Sequence, residues 1–518
     1  MRPDTVFRSN SIRFPEKTAL VCGSQRVSYR ELHASVRRFA AGLRASGYLP
    51  GSRAVLYLPN GVEFVELMFA CFANGTTVIP VTTRLTLDEL AYICDDSGAT
   101  VLICGPTQAD AVAKVVAERP ALNGFTTGSA AAGLEAVSTL LGEDMTPPHL
   151  PGDFDECLVM YTSGTTGRPK GAVMTHANLV VQPGLVNAVD WEISDRDVFL
   201  VVAPMAHRTG IGRLLNAMLL GGKLCILTSF DAEEVLRTVE REGVTVMGVV
   251  PTMCRMLLPA LELNSDRAVS LRILVVSGEA FPVPLKTRMM ELLPETCFVS
   301  FFGMTETGVV TSLEHREQVS HAASVGRAAR GVELRIVDLE SGADLTAGQS
   351  GELLVRAGQP GSFSNMKGYL NRPDATAESF TDGWFRTGDI ARMDKDGFVF
   401  IVDRKKDMIV SGGFNIYSKE VEKVLADHPA VADVAVIGAP DDIFGEAVVA
   451  FVEPRSGITV PKAEAIIAFC RDRIAGYKKP KHVFFIDALP RTATGKIMKP
   501  GLSTEAVRRI ATESEKLG

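Results

Sequence analysis

The sequence predicts an α/β protein, with a large N-terminal domain of doubly wound sheets, a small β subdomain and a smaller α+β C-terminal domain. Three observations carry the expectation. Short apolar runs alternate with amphipathic helical stretches up to about Val276, as a parallel sheet covered by helices requires. From about Val332 the pattern gives way to short strands and turns, which suits a small β subdomain. Past Asp403, helical stripes and strands mix again. A chain of 518 residues has room for two or more such domains.

Ser28-Tyr29-Arg30-Glu31 is a capping box. It opens a helix with Leu32, Val36, Phe39, Ala40 and Leu43 on one face, and Gly47 stops it. A strand at Ala54 to Leu58, a helix around Glu63 to Ala73 and a strand at Thr77 to Val81 follow. Further strands are expected at Val198 to Val202, Lys223 to Leu227, Val244 to Val250 and Leu271 to Val276. The β subdomain takes Glu333 to Val337, Gly351 to Val355 and Gly397 to Val402. Near the end, Val421, Val424 and Leu425 make a helical stripe that Pro429 ends. Val434 to Ile437 is a strand, and Ala463, Ile466, Ile467, Cys470 and Ile474 share a helix face.

A net charge of -7 leaves no basic footprint, which argues against nucleic acid as the main partner. Nine cysteines lack any CxxC spacing, and Cys71, Cys104 and Cys225 sit in apolar runs, so they read as reduced core residues. No stretch approaches ~18 uncharged apolar residues, so no membrane span is expected. Glu16 and Lys17 interrupt the start before a secretory apolar run builds, and Lys516-Leu517-Gly518 is not a peroxisomal tripeptide. A cytoplasmic enzyme is the expectation.

The richest stretch is Tyr161-Thr162-Ser163-Gly164-Thr165-Thr166-Gly167-Arg168-Pro169-Lys170-Gly171. The apolar run Cys157-Leu158-Val159-Met160 leads in as a buried strand, Ala172-Val173-Met174 leads out extended, and Thr175 sits where a helix N-cap would be. Glycines let the backbone approach a ligand, amides and hydroxyls donate to phosphate oxygens, and lysine adds charge. It is not a Walker A loop, because Pro169 precedes the lysine and no Ser or Thr follows it. On physics alone, a phosphate cradle and a solvated Ser/Thr/Gly loop stand level.

Six further stretches downstream are ambiguous in the same way. Ser277-Gly278-Glu279-Ala280 follows a strand, at the edge where open α/β sheets bind ligands, or is an ordinary turn. Phe301-Phe302-Gly303-Met304-Thr305-Glu306 offers a flat face for a purine and a hard carboxylate for Mg²⁺, or a core aromatic pair and a solvated acid. Asp382-Gly383-Trp384-Phe385-Arg386-Thr387-Gly388-Asp389 reads as two turns around a short strand. Asp403-Arg404-Lys405-Lys406-Asp407 is a charge run of the kind usually solvated. Ser411-Gly412-Gly413-Phe414-Asn415 holds a tight turn, and Pro490-Arg491-Thr492-Ala493-Thr494-Gly495-Lys496 is a polar loop.

Together, in this order, these stretches resemble the motifs of the adenylate-forming superfamily: acyl-CoA synthetases, peptide-synthetase adenylation domains and beetle luciferases. The look is nearest to acyl- or aryl-CoA ligases, and the resemblance covers nearly the whole chain. It implies an N-terminal AMP-binding domain at 1–402, with its β subdomain at about 332–402, and a mobile C-terminal domain at 403–518. It implies that Thr162, Ser163, Gly164, Thr165, Thr166, Gly167 and Lys170 hold the triphosphate of ATP, and that Gly278, Glu279 and Ala280 lie along the adenine. Phe302, Gly303, Met304 and Thr305 complete the nucleotide site. The family has Tyr where Phe302 stands, so the stacking face survives without its hydroxyl. Glu306 would hold Mg²⁺, Asp389 and Arg404 the ribose, and Asp403 would be the hinge. Gly412, Gly413 and Phe414 would wall the channel for CoA, and Lys496 would stabilise the adenylation transition state. Thr162, Glu306, His207 and Lys496 make the catalytic set.

His207 would also gate an acyl pocket lined by Val250, Gly303, Met304 and Val309. Adenylation domains for amino acids carry an Asp to pair the substrate ammonium, and its absence argues against an amino-acid substrate. The apolar neighbourhood suggests a monoacid with a fatty, aromatic or ring-bearing tail, in which Arg208 is out of place: either a surface ion pair or a contact to a second polar group on the acid. The resemblance implies an ATP-dependent acyl-CoA synthetase. An adenylate ligase loading a carrier protein, a nucleotide-binding protein that has lost activity and, remotely, a luciferase-like oxygenase remain as alternatives. A homodimer stays open.

Overall fold

The computed structural model describes residues 1–131, 133–143, 151–162, 168–471, 473–491 and 497–517. The chain divides into two compact units. One holds residues 1–334 and 355–386, the other residues 335–354 and 387–518.

The first unit contains two large sheets. In one, strands Cys297–Met304, Ile273–Ser277, Val246–Val249, Val198–Val201, Lys223–Ile226 and Thr18–Cys22 run parallel in that spatial order. In the other, Glu156–Thr162, Thr77–Pro80, Arg53–Tyr57, Val101–Cys104 and Asn123–Thr126 are parallel, and Lys170–Thr175 adds antiparallel. These strands are almost wholly apolar because both faces are covered. One core cluster draws on both sheets, taking Leu56 and Val78 from one and Leu20, Phe199 and Val246 from the other. Helix Val62–Asn74 lies in that cluster and buries Phe64, Phe69 and Phe72 around its circumference. Each such side chain contributes roughly 1.5–3 kcal/mol. The doubly wound expectation therefore holds, and the expected strands and helices of this region are found within two or three residues of their expected limits.

Local chemistry explains the element ends. The Ser28 hydroxyl accepts from the Glu31 amide at 3.2 Å, and Glu31 answers the Ser28 amide at 2.8 Å, which starts helix Tyr29–Ala45. Thr175 caps the next short helix, His176–Val180, in the same way through Asn178. All nine cysteines are free, and seven of them are buried.

In the second unit, residues 389–393 of strand Trp384–Met393 pair antiparallel with Val399–Arg404. A further sheet joins Phe414–Ile416, Ile409–Ser411, Gly445–Pro454 and Val431–Asp441 in that order, with His482–Phe485 against Gly445–Pro454. Helices Ser418–Ala426 and Ala463–Arg471 pack Val421, Leu425, Ile466 and Cys470 against it. Most of the short strands expected between 332 and 402 thus fall within this unit.

Candidate active site

In the first unit, the loop stretch is framed as its ends suggest. Strands Glu156–Thr162 and Lys170–Thr175 form a hairpin that sets Thr162 opposite Lys170. Ser163, Gly164, Thr165, Thr166 and Gly167 lie outside the described residues. At the hairpin's mouth the Thr162 hydroxyl donates to Glu306 Oε1 at 3.4 Å, and the Tyr369 hydroxyl donates to the same oxygen at 2.9 Å. Lys170 Nζ stands 5.2 Å from the centre of the Tyr369 ring. Thr162 and Tyr369 therefore meet at the Glu306 carboxylate, and Lys170 stands against the Tyr369 ring beside them.

Tyr369 is a member the sequence did not reveal. Strand Gly368–Tyr369 pairs with Lys170–Thr175, so Tyr369 lies opposite Ala172, and its amide is held by Thr376 at 2.8 Å. Burial, then the nearby Glu306 charge, pushes its phenol pKa far up, so the hydroxyl remains a donor.

Glu306 follows strand Cys297–Met304, in the turn before Gly308–Leu313, and its carbonyl accepts from the Met366 amide at 2.7 Å. The turn is tight. A Cβ on Gly303 would stand 2.3 Å from the Gly308 carbonyl oxygen. Gly308 has φ +70°, and a Cβ there would meet Gln182 Oε1 at 2.2 Å and Arg208 Nη2 at 2.8 Å. Gln182 fixes the neighbouring Val309 by accepting from its amide at 3.0 Å and donating to its carbonyl at 3.2 Å. The Thr162 hydroxyl and the Glu306 carboxylate are hard oxygen donors, which suits Mg²⁺, an ion that commonly keeps one or two protein carboxylates plus phosphate oxygens and water. Among the described residues, no three His, Cys, Asp or Glu side chains cluster as a self-sufficient metal cage.

The register of the parallel sheet ends with Ser277 opposite Phe301, so Gly278 and Phe302 follow that last pair. Gly278 has φ +93°, and its Cβ would approach Val250 at 3.3 Å. Glu279 accepts from the Thr252 hydroxyl at 3.2 Å. His207 is the N-cap residue of helix Arg208–Leu220, and its carbonyl accepts from the Ile211 amide. Arg208, next along, is partly buried. Its Nη1 is buried with no partner among the described residues, and burial draws its pKa down to about 10 against the pull of Glu306. It is not a surface ion pair.

In the second unit, Asp389 and Arg404 stand opposite each other and form an ion pair at 2.6 Å, with Asp389 only 1% exposed. Asp403 is fully buried and accepts from the Arg404 amide at 2.8 Å, the Ser418 hydroxyl at 3.1 Å and the Lys419 amide at 3.3 Å. Lys499 Nζ in turn donates to Ser418 Oγ at 2.7 Å. Gly412 and Gly413 both have positive φ, at +57° and +80°, and turn the chain from Ser411 to its partner Phe414. Phe414 is exposed and stacks on Tyr477 at 4.7 Å. Lys496 lies outside the described residues. On either side of it, Arg491 bridges to Ile497, and the Met498 amide donates to the Pro490 carbonyl at 2.7 Å.

Two domain patterns match this chain: the AMP-binding enzyme domain over residues 7–370 and the AMP-binding enzyme C-terminal domain over residues 420–496. The chain is 40% identical over 489 residues to a feruloyl-CoA synthase of an Amycolatopsis species, covering 94% of this chain and 95% of that one. It superposes on ATP-bound MatB from Rhodopseudomonas palustris with TM-score 0.86 and 30% identity, covering 98% and 99% of the two chains. For the o-succinylbenzoate CoA synthetase of Bacillus subtilis in complex with its acyl-adenylate, the TM-score is 0.85 and the identity 29%, covering 96% and 97%. The chain belongs to the AMP-binding enzyme family, within the adenylate-forming superfamily. It is an ATP-dependent acyl-CoA synthetase, an acid–thiol ligase.

Proposed function

We propose that the enzyme activates an aromatic or ring-bearing carboxylic acid as its acyl-adenylate and passes the acyl group to free CoA. The observation that carries this reading is the convergence of Thr162 and Tyr369 on Glu306, with Lys170 against the Tyr369 ring, at the mouth of the glycine- and hydroxyl-rich loop. The ring-bearing acid is supported by likeness to the feruloyl and o-succinylbenzoate enzymes.

In the first half-reaction, a substrate carboxylate oxygen attacks the α-phosphorus of ATP, and pyrophosphate leaves with the bond's electron pair. The protein supplies position and charge rather than a nucleophile. Lys170 and the hydroxyls from Thr162 to Thr166 hold the triphosphate. Mg²⁺, when bound at Glu306, neutralises phosphoryl charge. The Gly278–Ala280 segment and Phe302 take the adenine, and Asp389, oriented by Arg404, takes the ribose hydroxyls. Lys496 stabilises the charge that develops between carboxylate and phosphate. In the second half-reaction, the CoA thiol, losing its proton, attacks the acyl carbon and AMP leaves. The C-terminal domain turns about Asp403 between the two, which removes Lys496 and brings Gly412, Gly413 and Phe414 to the thiol's path. His207 gates the acid. The enzyme acts in the cytoplasm.

Acid-dependent ATP–pyrophosphate exchange over a panel of fatty, aromatic and ring-bearing acids tests the first half. Mass spectrometry of products with CoA as the only thiol tests the second. Exchange without thioester would assign the acyl group to a carrier protein instead, and no exchange with any acid would defeat the reading.

A further inference from the structure

The helix that begins at Arg208 carries a polar stripe that the reaction as described does not use. Arg208, Gly212 and Asn216 recur every four residues along helix Arg208–Leu220, so they lie on one face, and Arg213 flanks Asn216 further round the helix. Arg208 Nη1, Arg213 Nη1 and Asn216 Oδ1 are each buried without a partner among the described residues. Arg213 is 4% exposed and lies on the Trp191 ring at 4.7 Å, and its stem packs against Gly248. No carboxylate stands within ion-pairing distance of either guanidinium among the described residues. Between the arginines, a Cβ at Gly212 would meet nothing within 4 Å, so the stripe faces open space at its middle.

Two other elements flank this stripe. The segment Val181–Val186 is a π-helical turn, a form that often marks functional sites. Asn216 Nδ2 donates to the Pro183 carbonyl of that turn at 2.6 Å, and Gln182 holds both backbone groups of Val309. The Arg208 guanidinium lies against Gly308, two residues from Glu306. Unpaired buried donors are costly and persist where a ligand answers them. An acid whose reacting carboxylate lay on the Glu306 side of the hairpin from Gly303 to Val309 could reach Arg208, whose guanidinium lies against Gly308, with a group further along its tail.

We infer that the acid carries a second oxygen acceptor, remote from its reacting carboxylate, and that Arg208 binds it. This rests on the reading above and reverses the preference for plain monoacids that the apolar segments suggest. A terminal carboxylate and a keto group share the chemistry, since both present lone pairs to a guanidinium fork.

The test uses matched acids: octanoate with octanedioate and 7-oxooctanoate, and cinnamate with 4-carboxycinnamate and 4-acetylcinnamate, each followed by ATP–pyrophosphate exchange. In at least one set, an oxygen-bearing member should exceed its parent in kcat/KM by about tenfold or more. Arg208→Met should bring that ratio close to one. The ratio is taken within one preparation, so partial misfolding does not imitate the result. Arg208→Lys separates the sources: a preference for the carboxylated member that survives it identifies an anion, and a preference for the keto member that it abolishes identifies a carbonyl in the fork. Parents that equal or surpass their counterparts in the wild type overturn the inference, as does a preference that Arg208→Met leaves intact. Exchange with the parents alone would overturn it while sparing the ligase reading. Silence across all acids would remove both.

Discussion

His176 should make this fold acid-sensitive within the range where cells and assays operate. It follows the Thr175 cap, directly after the strand that begins at Lys170, and its ring is fully buried edge-on to Phe72 at 5.8 Å. Neither ring nitrogen has a partner among the described residues. Burial lowers its pKa from 6.5 to about 4, with Asp4, Asp153 and Asp155 pulling upward and Arg2 downward. The folded state therefore binds this proton less readily than the unfolded chain. Its stabilising contribution is present above the unfolded value near 6.5 and is lost as pH falls toward 4. The full shift amounts to roughly 3 kcal/mol, and the part lost between pH 7.5 and 5.5 is about 1.3 kcal/mol. Other groups titrate over the same range, so the informative quantity is a difference. Urea unfolding of the first transition, run at both pH values on the wild type and on His176→Leu, should show the wild type losing about 1 kcal/mol more. The baseline cost of the substitution cancels in that comparison. Equal pH dependence in the two proteins would refute the argument and place a hydrogen-bonded or protonated histidine at this position.

Lys496→Ala should lower adenylation by about 10²–10³, while presynthesised acyl-adenylate plus CoA still yields thioester near the normal rate. Equal damage to both half-reactions in single-turnover assays would discard the rotation about Asp403. Gly413→Leu should accumulate acyl-adenylate with little thioester. A Cβ there meets nothing within 4 Å, but φ +80° adds local strain, so a thermal melt should accompany the product analysis, and matched losses in both steps would make the turn merely structural. Tyr369→Phe removes the 2.9 Å hydrogen bond to Glu306 and keeps the ring under Lys170, so the Mg²⁺ concentration for half-maximal exchange should rise about tenfold. An unchanged Mg²⁺ profile would take Tyr369 out of the site.

Legibility from sequence followed the range of the interactions. Ile273–Ser277 was readable because a parallel strand buried on both faces must be a continuous apolar run, and Ser28–Glu31 because both ends of a capping box lie within one turn. Thr162, Lys170 and Glu306 could be named from their motifs, and the structure gathers them. Tyr369 could not, because its place depends on pairing with a strand some 200 residues away, at Ala172, and nothing in its own neighbourhood is periodic. Gln182 was hidden for the same reason, since its two bonds to Val309 join a π-helical turn to a hairpin far along the chain. Ser418 and Lys499, which brace Asp403, likewise stand apart from any motif.

Arg208 is the instructive case, because the sequence placed it next to the right residue and still misjudged the setting. Val250, Met304 and Val309 are apolar by type, and a pocket inferred from types alone comes out apolar. Whether a charge belongs there depends on partners, and partners are a property of three-dimensional arrangement. An arginine on a solvated surface needs none, because water answers its five donors. A guanidinium whose Nη1 is buried without a partner has lost that option, and two on one helix, with a glycine between them in the chain that leaves open space, are harder to explain as packing alone. Had the stripe served only to hold the fold, a carboxylate or a ring of carbonyls from the chain would be expected around it, as Glu242 surrounds itself with Arg26, Lys223 and Arg241 elsewhere in the same unit. The contrast within one molecule is what directs the argument outward, to a group that arrives with the substrate.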